Sequence, residues 1–536
     1  MNNFIQERFI APEPRKAKFR DPLPKNKALT FASLYEVKRK DSKHRDIEKT
    51  IKADRKIIQR LITAYESGRH VNLSEVLKHE LLTVPFALAE TNGRLRSGSK
   101  ADFAQVLTLG INCPPSIGTA ELGETATFVV DAQATICSIG KPPKATTFGD
   151  LADEFIGAVL HAGAFFKRID VVFDRYYEKS IKEGTRTRRG QGSGAIRRLI
   201  EGRNVPLPAK WETFMAHPKN KADLANFLSQ QLMLQAPSNK TVVVSGGFID
   251  EEQVESSDPE VITDTLKAQH EEADTRMILH CTQTQASSIV IAARDTDVLV
   301  LLLAHFHKIP SDKVWLRAGT SANRKHIPIH TIVEQLAFSH DKMESITAFH
   351  AITGCNTTSY LSRHTKKICW KVFKEHSHLL EGLGQGELDE ATVKKVELFI
   401  CKLYNVPNIT TVNKAREILF VKSSSPETLP PTSDALSFHI QRAHYQAAVW
   451  RQANEQYPKL PQPETMGWRM EGASLVPILM SLPPVPDSCM ELITCNCAKR
   501  CMSARCKCKK SHLNCTAACK CSTSDEDCSN IEAQQR

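Results

Sequence analysis

The chain has 536 residues, more than one ordinary hydrophobic core requires, so two or three structural units are expected. Hydrophobic residues make up 41% and charged residues 24%, a globular balance, and no uncharged apolar run reaches the roughly 18 residues a membrane-spanning helix needs. The net charge of +11 pulls mildly toward polyanions, although much of it sits in the first hundred residues and the cysteine-rich end.

Residues 1–120 read as a polar, helical N-terminal region with basic stretches at Arg15 to Arg20 and Lys38 to Arg45. A solvated helical face or flexible arm is one reading of these stretches, and a nuclear import signal is the other. The opening MNNFIQERFIAPEPRKAKFR has no apolar core of a secretory signal, so a nuclear or otherwise cytoplasmic protein is expected.

From about Thr125 the texture changes to short β-branched runs, TFVVDA, IDVVFD, KTVVVSGG, SIVIAARDTDVLVLLL and KVWLRAG. Between them lie helix-length segments, GDLADEFIGAVLHAGAFFK, ADLANFLSQQLML and EVITDTLKAQHEEADTRMILHC, with apolar residues at three- and four-residue spacing. Strands this apolar are buried on both faces, which predicts an α/β domain over residues 121–402: a parallel twisted sheet with helices on both sides. Residues 403–487 follow as a helical and proline-rich linker, with an amphipathic helix at Ala435 to Glu455. The glycines of GLGQGE, Gly382 to Glu387, lack a following Lys-Ser/Thr and read as a loop.

Residues 488–530 are a different material. Of sixteen cysteines in the chain, ten fall in the last fifty residues. So few large apolar side chains accompany them that no hydrophobic core can form, and without a secretory signal the cluster reads as metal ligation rather than disulfides. The candidate ligands are Cys495, Cys497, Cys501, Cys506, Cys508, Cys515, Cys519, Cys521 and Cys528. Zinc prefers four thiolates, and about three zinc ions are satisfied by nine cysteines if three of them bridge; two ions with a spare cysteine is the other count. Lys499, Arg500, Arg505, Lys507, Lys509, Lys510 and Lys520 interleave the ligands, suited to phosphate contacts or to offsetting thiolate charge. This spacing resembles the CXC (tesmin-type, pre-SET-like) zinc modules, and the resemblance implies DNA binding.

In the α/β region, acidic residues recur at the predicted strand ends, where ligands bind in open α/β sheets. Asp131 ends TFVVD, Asp174 ends IDVVFD, Asp295 and Asp297 fall within the DTD of the fourth run, and Glu272 and Asp274 lie in EEADT. Such charges beside apolar strands need a counter-ion, and an oxygen-only set suits Mg²⁺ or Mn²⁺ acting on a phosphodiester. In this order the residues resemble the PIN-like, flap-endonuclease superfamily. The resemblance implies that Asp131, Asp174, Glu272, Asp274, Asp295 and Asp297 are metal-binding catalytic residues, with DTD on a strand. It further implies that Lys182 and Arg188 or Arg189 hold the scissile phosphate. AFHAITGCNTTSYL resembles the family's G-S-D segment but carries Asn356 where a metal-binding aspartate is expected, which removes one negative charge. RHTKKICWKVFK is expected as a basic duplex-binding helix. The expectation is a metal-dependent nuclease tethered to DNA by its zinc module. The alternative is a catalytically inactive DNA-binding protein, derived from a mobile element, that retains the nuclease fold.

Overall fold

The computed structural model describes residues 73–123, 125–177, 180–181, 196–319, 323–406, 408–423, 428–472, 474–484 and 486. In the cysteine-rich end it describes 495–497, 501, 506–510, 515, 519–523 and 528–530. The basic stretches at Arg15 to Arg20 and Lys38 to Arg45, with Lys182, Arg188, Arg189, Lys499, Arg500 and Arg505, lie outside the described residues.

Seven strands form one sheet: β1 (Thr127–Asp131), β2 (Arg168–Val172), β3 (Thr241–Ser245), β4 (Val254–Ser256), β5 (Ser288–Ala292), β6 (Lys313–Ala318) and β7 (Lys325–Pro328). Their order is β4-β3-β2-β1-β5-β6-β7. The inner five are parallel, and the edges β4 and β7 pair antiparallel to β3 and β6. The five parallel strands are the five apolar runs of the sequence, and the short edge strands were not anticipated there.

Successive side chains of a strand point to opposite faces, so one apolar run feeds two cores. Phe128, Val130, Ile169, Val171, Val242 and Val244 enter one core with helices Phe148–Ala162 and Pro218–Leu234. Val129, Val172, Ile289, Ile291, Val314 and Leu316 enter the other, with helices Ala273–Gln283, Thr296–His305 and His340–Ile352. The sheet is thus covered on both sides, the α/β architecture expected.

One expected element is of another type. The strand SIVIA stops at Ala292, and Thr296–His305, TDVLVLLLAH, is a helix buried from Val298 through His305. A short wholly apolar run does not distinguish a buried strand from a buried helix by periodicity. Asp295 decides it locally by capping the helix, its carboxylate accepting the Asp297 N–H at 3.0 Å.

The described residues of 403–487, expected as a linker, contribute to the second core. Helix Ser433–Arg451 buries Leu436, Ile440, Ala443, Ala447 and Trp450 there. Arg416, fully buried in helix Val412–Ser423, donates from Nε to the Leu77 carbonyl at 3.0 Å and from Nη2 to the His79 carbonyl at 3.0 Å. The proline-rich stretch carries a hairpin, β8 (Trp468–Glu471) with β9 (Ser474–Pro477), and its Pro484 carbonyl accepts the Leu81 N–H at 2.8 Å. None of the described helices is long and apolar enough to cross a membrane.

Candidate metal centres

From β1 the chain winds outward through β2 to β3, then returns to β5 and winds the other way to β6. The reversal lies between β1 and β5, and in open α/β sheets the crevice beyond the strand C-termini at such a reversal is where ligands bind. Helices begin there, and their unpaired N–H groups and dipoles favour negative charge. Aspartates therefore serve locally as helix caps and jointly as a cluster. Asp131 closes β1 and caps helix Ala132–Ile139, accepting the Ala134 N–H at 2.9 Å. Asp174, just past β2, reaches across to accept the Ala273 N–H at 2.9 Å, in the first turn of helix Ala273–Gln283. Asp295 caps the helix that carries Asp297.

Asp274, Asp295 and Asp297 each present an oxygen within 4.8 Å of the others. Asp131 belongs to the same neighbourhood: burial and then the Asp174 charge push its carboxyl up to about 7, with Asp295 adding to the effect. Oxygens at this spacing, joined by two further carboxylates, are the donor set that a hard divalent cation takes.

Asp297 is the most constrained of the set, only 2% exposed. Its Oδ1 accepts from His350 Nε2 at 2.8 Å, and its Oδ2 accepts from the Lys100 ammonium. Lys100 also donates to Asp295 Oδ1 at 3.1 Å. Burial by itself would raise the Asp297 carboxyl, but the His350 hydrogen bond and the Lys100 charge hold it well below the ordinary carboxylate range. Burial likewise opposes the Lys100 charge, and Asp297 and then Asp295 hold its pKa above the ordinary lysine value.

Behind His350, the buried Lys366 ammonium donates to His350 Nδ1 at 3.1 Å, to the His350 carbonyl at 2.8 Å and to Thr353 Oγ1 at 2.7 Å. With Nδ1 accepting, Nε2 carries the proton and points it at Asp297. Burial and then the Lys366 charge lower His350 to about 4, and burial lowers Lys366 to about 7. Phe103 and Trp450 both stack near-parallel to the imidazole, at 5.6 and 5.3 Å between centroids, which fixes its plane.

Five of the six expected carboxylates, Asp131, Asp174, Asp274, Asp295 and Asp297, are thus gathered at one crevice. Glu272 is not in the close triple: it is the N-cap of helix Ala273–Gln283 and lines a neighbouring cavity of about 260 Å³ with Tyr445 and Gln446. Asn356 is exposed on the wall of a recess of about 300 Å³ that Lys100 and Tyr360 also line. In helix Lys366–His376, expected as a basic duplex-binding element, Lys366 faces inward while Lys367, Lys371 and Lys374 are exposed. Sequence reasoning missed Lys100 and His350. Neither sits in a recognisable spacing, and Lys100 lies 195 residues from Asp295.

All nine expected cysteine ligands at the C-terminal end are described, and eight are buried. Sulfur separations are 3.6 Å for Cys495 and Cys501, 3.8 Å for Cys495 and Cys515, 3.5 Å for Cys495 and Cys521, and 3.6 Å for Cys508 and Cys519. A tetrahedron of sulfurs about 2.3 Å from a zinc ion has edges of about 3.8 Å, so the spacing fits metal and is far beyond a disulfide bond. Three overlapping tetrads form: Cys495, Cys508, Cys515 and Cys519; Cys495, Cys501, Cys515 and Cys521; and Cys495, Cys497, Cys501 and Cys506. Cys495, Cys501 and Cys515 recur among them, as bridging ligands do, and Cys528 lies against Cys501 and Cys521.

No protein-family model matches the chain. No curated protein sequence matches it. Among solved structures, the chain is similar to the bacteriophage T5 D15 protein co-crystallised with metal ions, at 12% identity over 56% of this chain and 95% of that one, TM-score 0.30. Human GEN1 in complex with Holliday junction DNA is similar at 12% identity over 65% of this chain and 76% of that one, TM-score 0.30. T5 5'-exonuclease with zinc bound is similar at 11% identity over 59% and 99%, TM-score 0.29.

Proposed function

We propose that this protein is a metal-dependent nuclease whose carboxylate crevice cuts phosphodiesters and whose cysteine module, loaded with zinc, holds it on DNA. The observation that carries the proposal is the meeting of Asp131, Asp174, Asp274, Asp295 and Asp297, drawn from four separate segments, at the reversal between β1 and β5. Mg²⁺ or Mn²⁺ bound there would lower the pKa of a bound water and neutralise charge on the leaving oxygen. Asp274, Asp295 and Asp297 would hold the ion, Asp131 and Asp174 would add charge at its rim, and His350 would orient Asp297. Lys182 with Arg188 or Arg189 is proposed to grip the scissile phosphate. An open cleft of about 770 Å³ running from Asp174 past Tyr176 and Arg203 offers space for a strand. Lys507, Lys509, Lys510 and Lys520 among the thiolates suit phosphate contacts.

The full-length chain is to be assayed on flap, hairpin and single-stranded DNA with Mg²⁺ or Mn²⁺. Cleavage that falls at least about a hundredfold in Asp274→Asn is expected, because a metal ligand acts on the transition state. No cleavage, or cleavage indifferent to this change, overturns the catalytic reading.

A non-catalytic DNA-binding protein is the second reading, favoured by the neutral Asn356 in place of a carboxylate. It retains salt-sensitive DNA binding without metal-dependent cutting.

A further inference from the structure

Resting on the metal-site reading above, we infer that Lys100 is a tethered cation that competes with divalent metal for Asp295 and Asp297. The geometry leaves little choice. Both oxygens of Asp297 are engaged by the protein, Oδ1 by His350 and Oδ2 by Lys100, and Asp295 Oδ1 receives both the Asp297 N–H at 3.0 Å and Lys100 at 3.1 Å. A Mg²⁺ or Mn²⁺ ion bound about 2.1 Å from these oxygens would occupy nearly the same position as the ammonium. Two cations cannot share it, so metal entry requires that Lys100 leave.

The structure provides for that departure. The backbone leading to Lys100 is anchored: the Tyr360 N–H donates to the Arg96 carbonyl at 2.9 Å, and Gly98 lies so close to the Tyr360 ring that a Cβ there would collide with it. Gly354, at φ +106°, abuts the same ring, where a Cβ would come within 2.6 Å. The side chain alone is left to move, and it already lines the recess of about 300 Å³ shared with Cys355, Asn356, Thr357 and Tyr360. Tyr360 is 7% exposed, and its Oη makes no hydrogen bond among the described residues. That phenol oxygen is an acceptor for the displaced ammonium. The device keeps the carboxylates neutralised without metal and makes metal loading conditional on a side-chain swing.

The test is Mn²⁺ titration of the full zinc-loaded chain by calorimetry, with free Mn²⁺ followed by electron paramagnetic resonance. Wild type is compared with Lys100→Met, Lys100→Gln and Lys100→Arg, and Asp295→Asn identifies binding at this site. If Lys100 is docked in at least about 90% of metal-free molecules, Mn²⁺ should bind Lys100→Met and Lys100→Gln at least about tenfold more tightly than wild type. Lys100→Arg, which keeps the charge, should not gain. Thermal melting gives a second readout. Metal-free Lys100→Met should melt below wild type because its carboxylates lose their counter-ion, and Mn²⁺ should raise its melting temperature more than that of wild type. Equal or weaker Mn²⁺ binding by both neutral variants overturns the inference while leaving the metal site standing. No Mn²⁺ binding at this site in any variant overturns the metal-site reading and the inference with it.

Discussion

Asp297 sits where the sheet's charge problem is most acute, an almost fully buried carboxylate whose two oxygens answer to His350 and Lys100. Removing one partner of a buried pair leaves the other uncompensated, at a cost of about 3–5 kcal/mol. Asp297→Ala, which strands the Lys100 ammonium and leaves the His350 N–H without its acceptor, should therefore destabilise metal-free protein by about that amount in urea denaturation; a loss under about 1 kcal/mol would show that the contacts carry little energy. A second buried network needs a different reading. Ser245 Oγ meets His280 Nε2 at 2.9 Å, and His280 Nδ1 meets Asp170 Oδ2 at 2.7 Å, while Arg168 clasps Asp170 at 2.7 Å. The residue types are those of a hydrolytic triad, but Ser245, His280 and Asp170 are wholly buried and no substrate reaches them. The network ties β2 and β3 to helix Ala273–Gln283, which positions Asp274. His280→Ala should lower stability by about 2–4 kcal/mol, the usual cost of breaking a buried polar network.

At the scale of elements, the helix N-termini do the assembling. Asp131, Asp174 and Asp295 each satisfy N–H groups of a helix's first turn while standing in the crevice, so capping and site geometry are one arrangement. In the described residues of the cysteine segment the buried cluster is made of sulfur. Under the zinc reading proposed above, metal binding and folding of this segment are one event. Because Cys495 belongs to all three tetrads and Cys497 to one, Cys495→Ser should release more zinc per chain than Cys497→Ser. Zinc content after gel filtration, read by a colorimetric chelator, checks this. Equal losses would mean that Cys495 does not bridge.

Over the whole molecule, acid sensitivity follows from histidines buried away from the crevice. Burial lowers His305 to about 4 and His439 to about 3, each with one ring nitrogen donating to a carbonyl, Trp450 for the first and Ile352 for the second. In the unfolded chain these groups titrate near 6.5, so below that pH the unfolded state binds more protons and stability falls as pH drops. Above 6.5 the full stability is present; between 6.5 and about 3 each histidine should withdraw on the order of 3 kcal/mol. Urea midpoints across that window should fall, and His305→Gln should flatten the slope. A slope unchanged in that variant would exclude His305 as a source.

The chain's local chemistry was readable in the sequence: five parallel strands from apolar runs, acids at their ends, and a segment whose crowded thiols gather where too few apolar side chains could form a core. These follow from burial, capping and ligand chemistry, which act over a few residues. Other features depended on the packed chain. The DTD segment proved to be a helix start because an aspartate cap outweighs an ambiguous apolar run, and helix Ser433–Arg451 joined the core because Trp450 and its neighbours found apolar partners that no spacing in the sequence identifies. The pairing of Lys100 with Asp295 and Asp297, and of His350 with Lys366 behind them, belongs to the tertiary structure alone. Single charged residues carry no mark of their partners until folding excludes water around them and makes each partner obligatory.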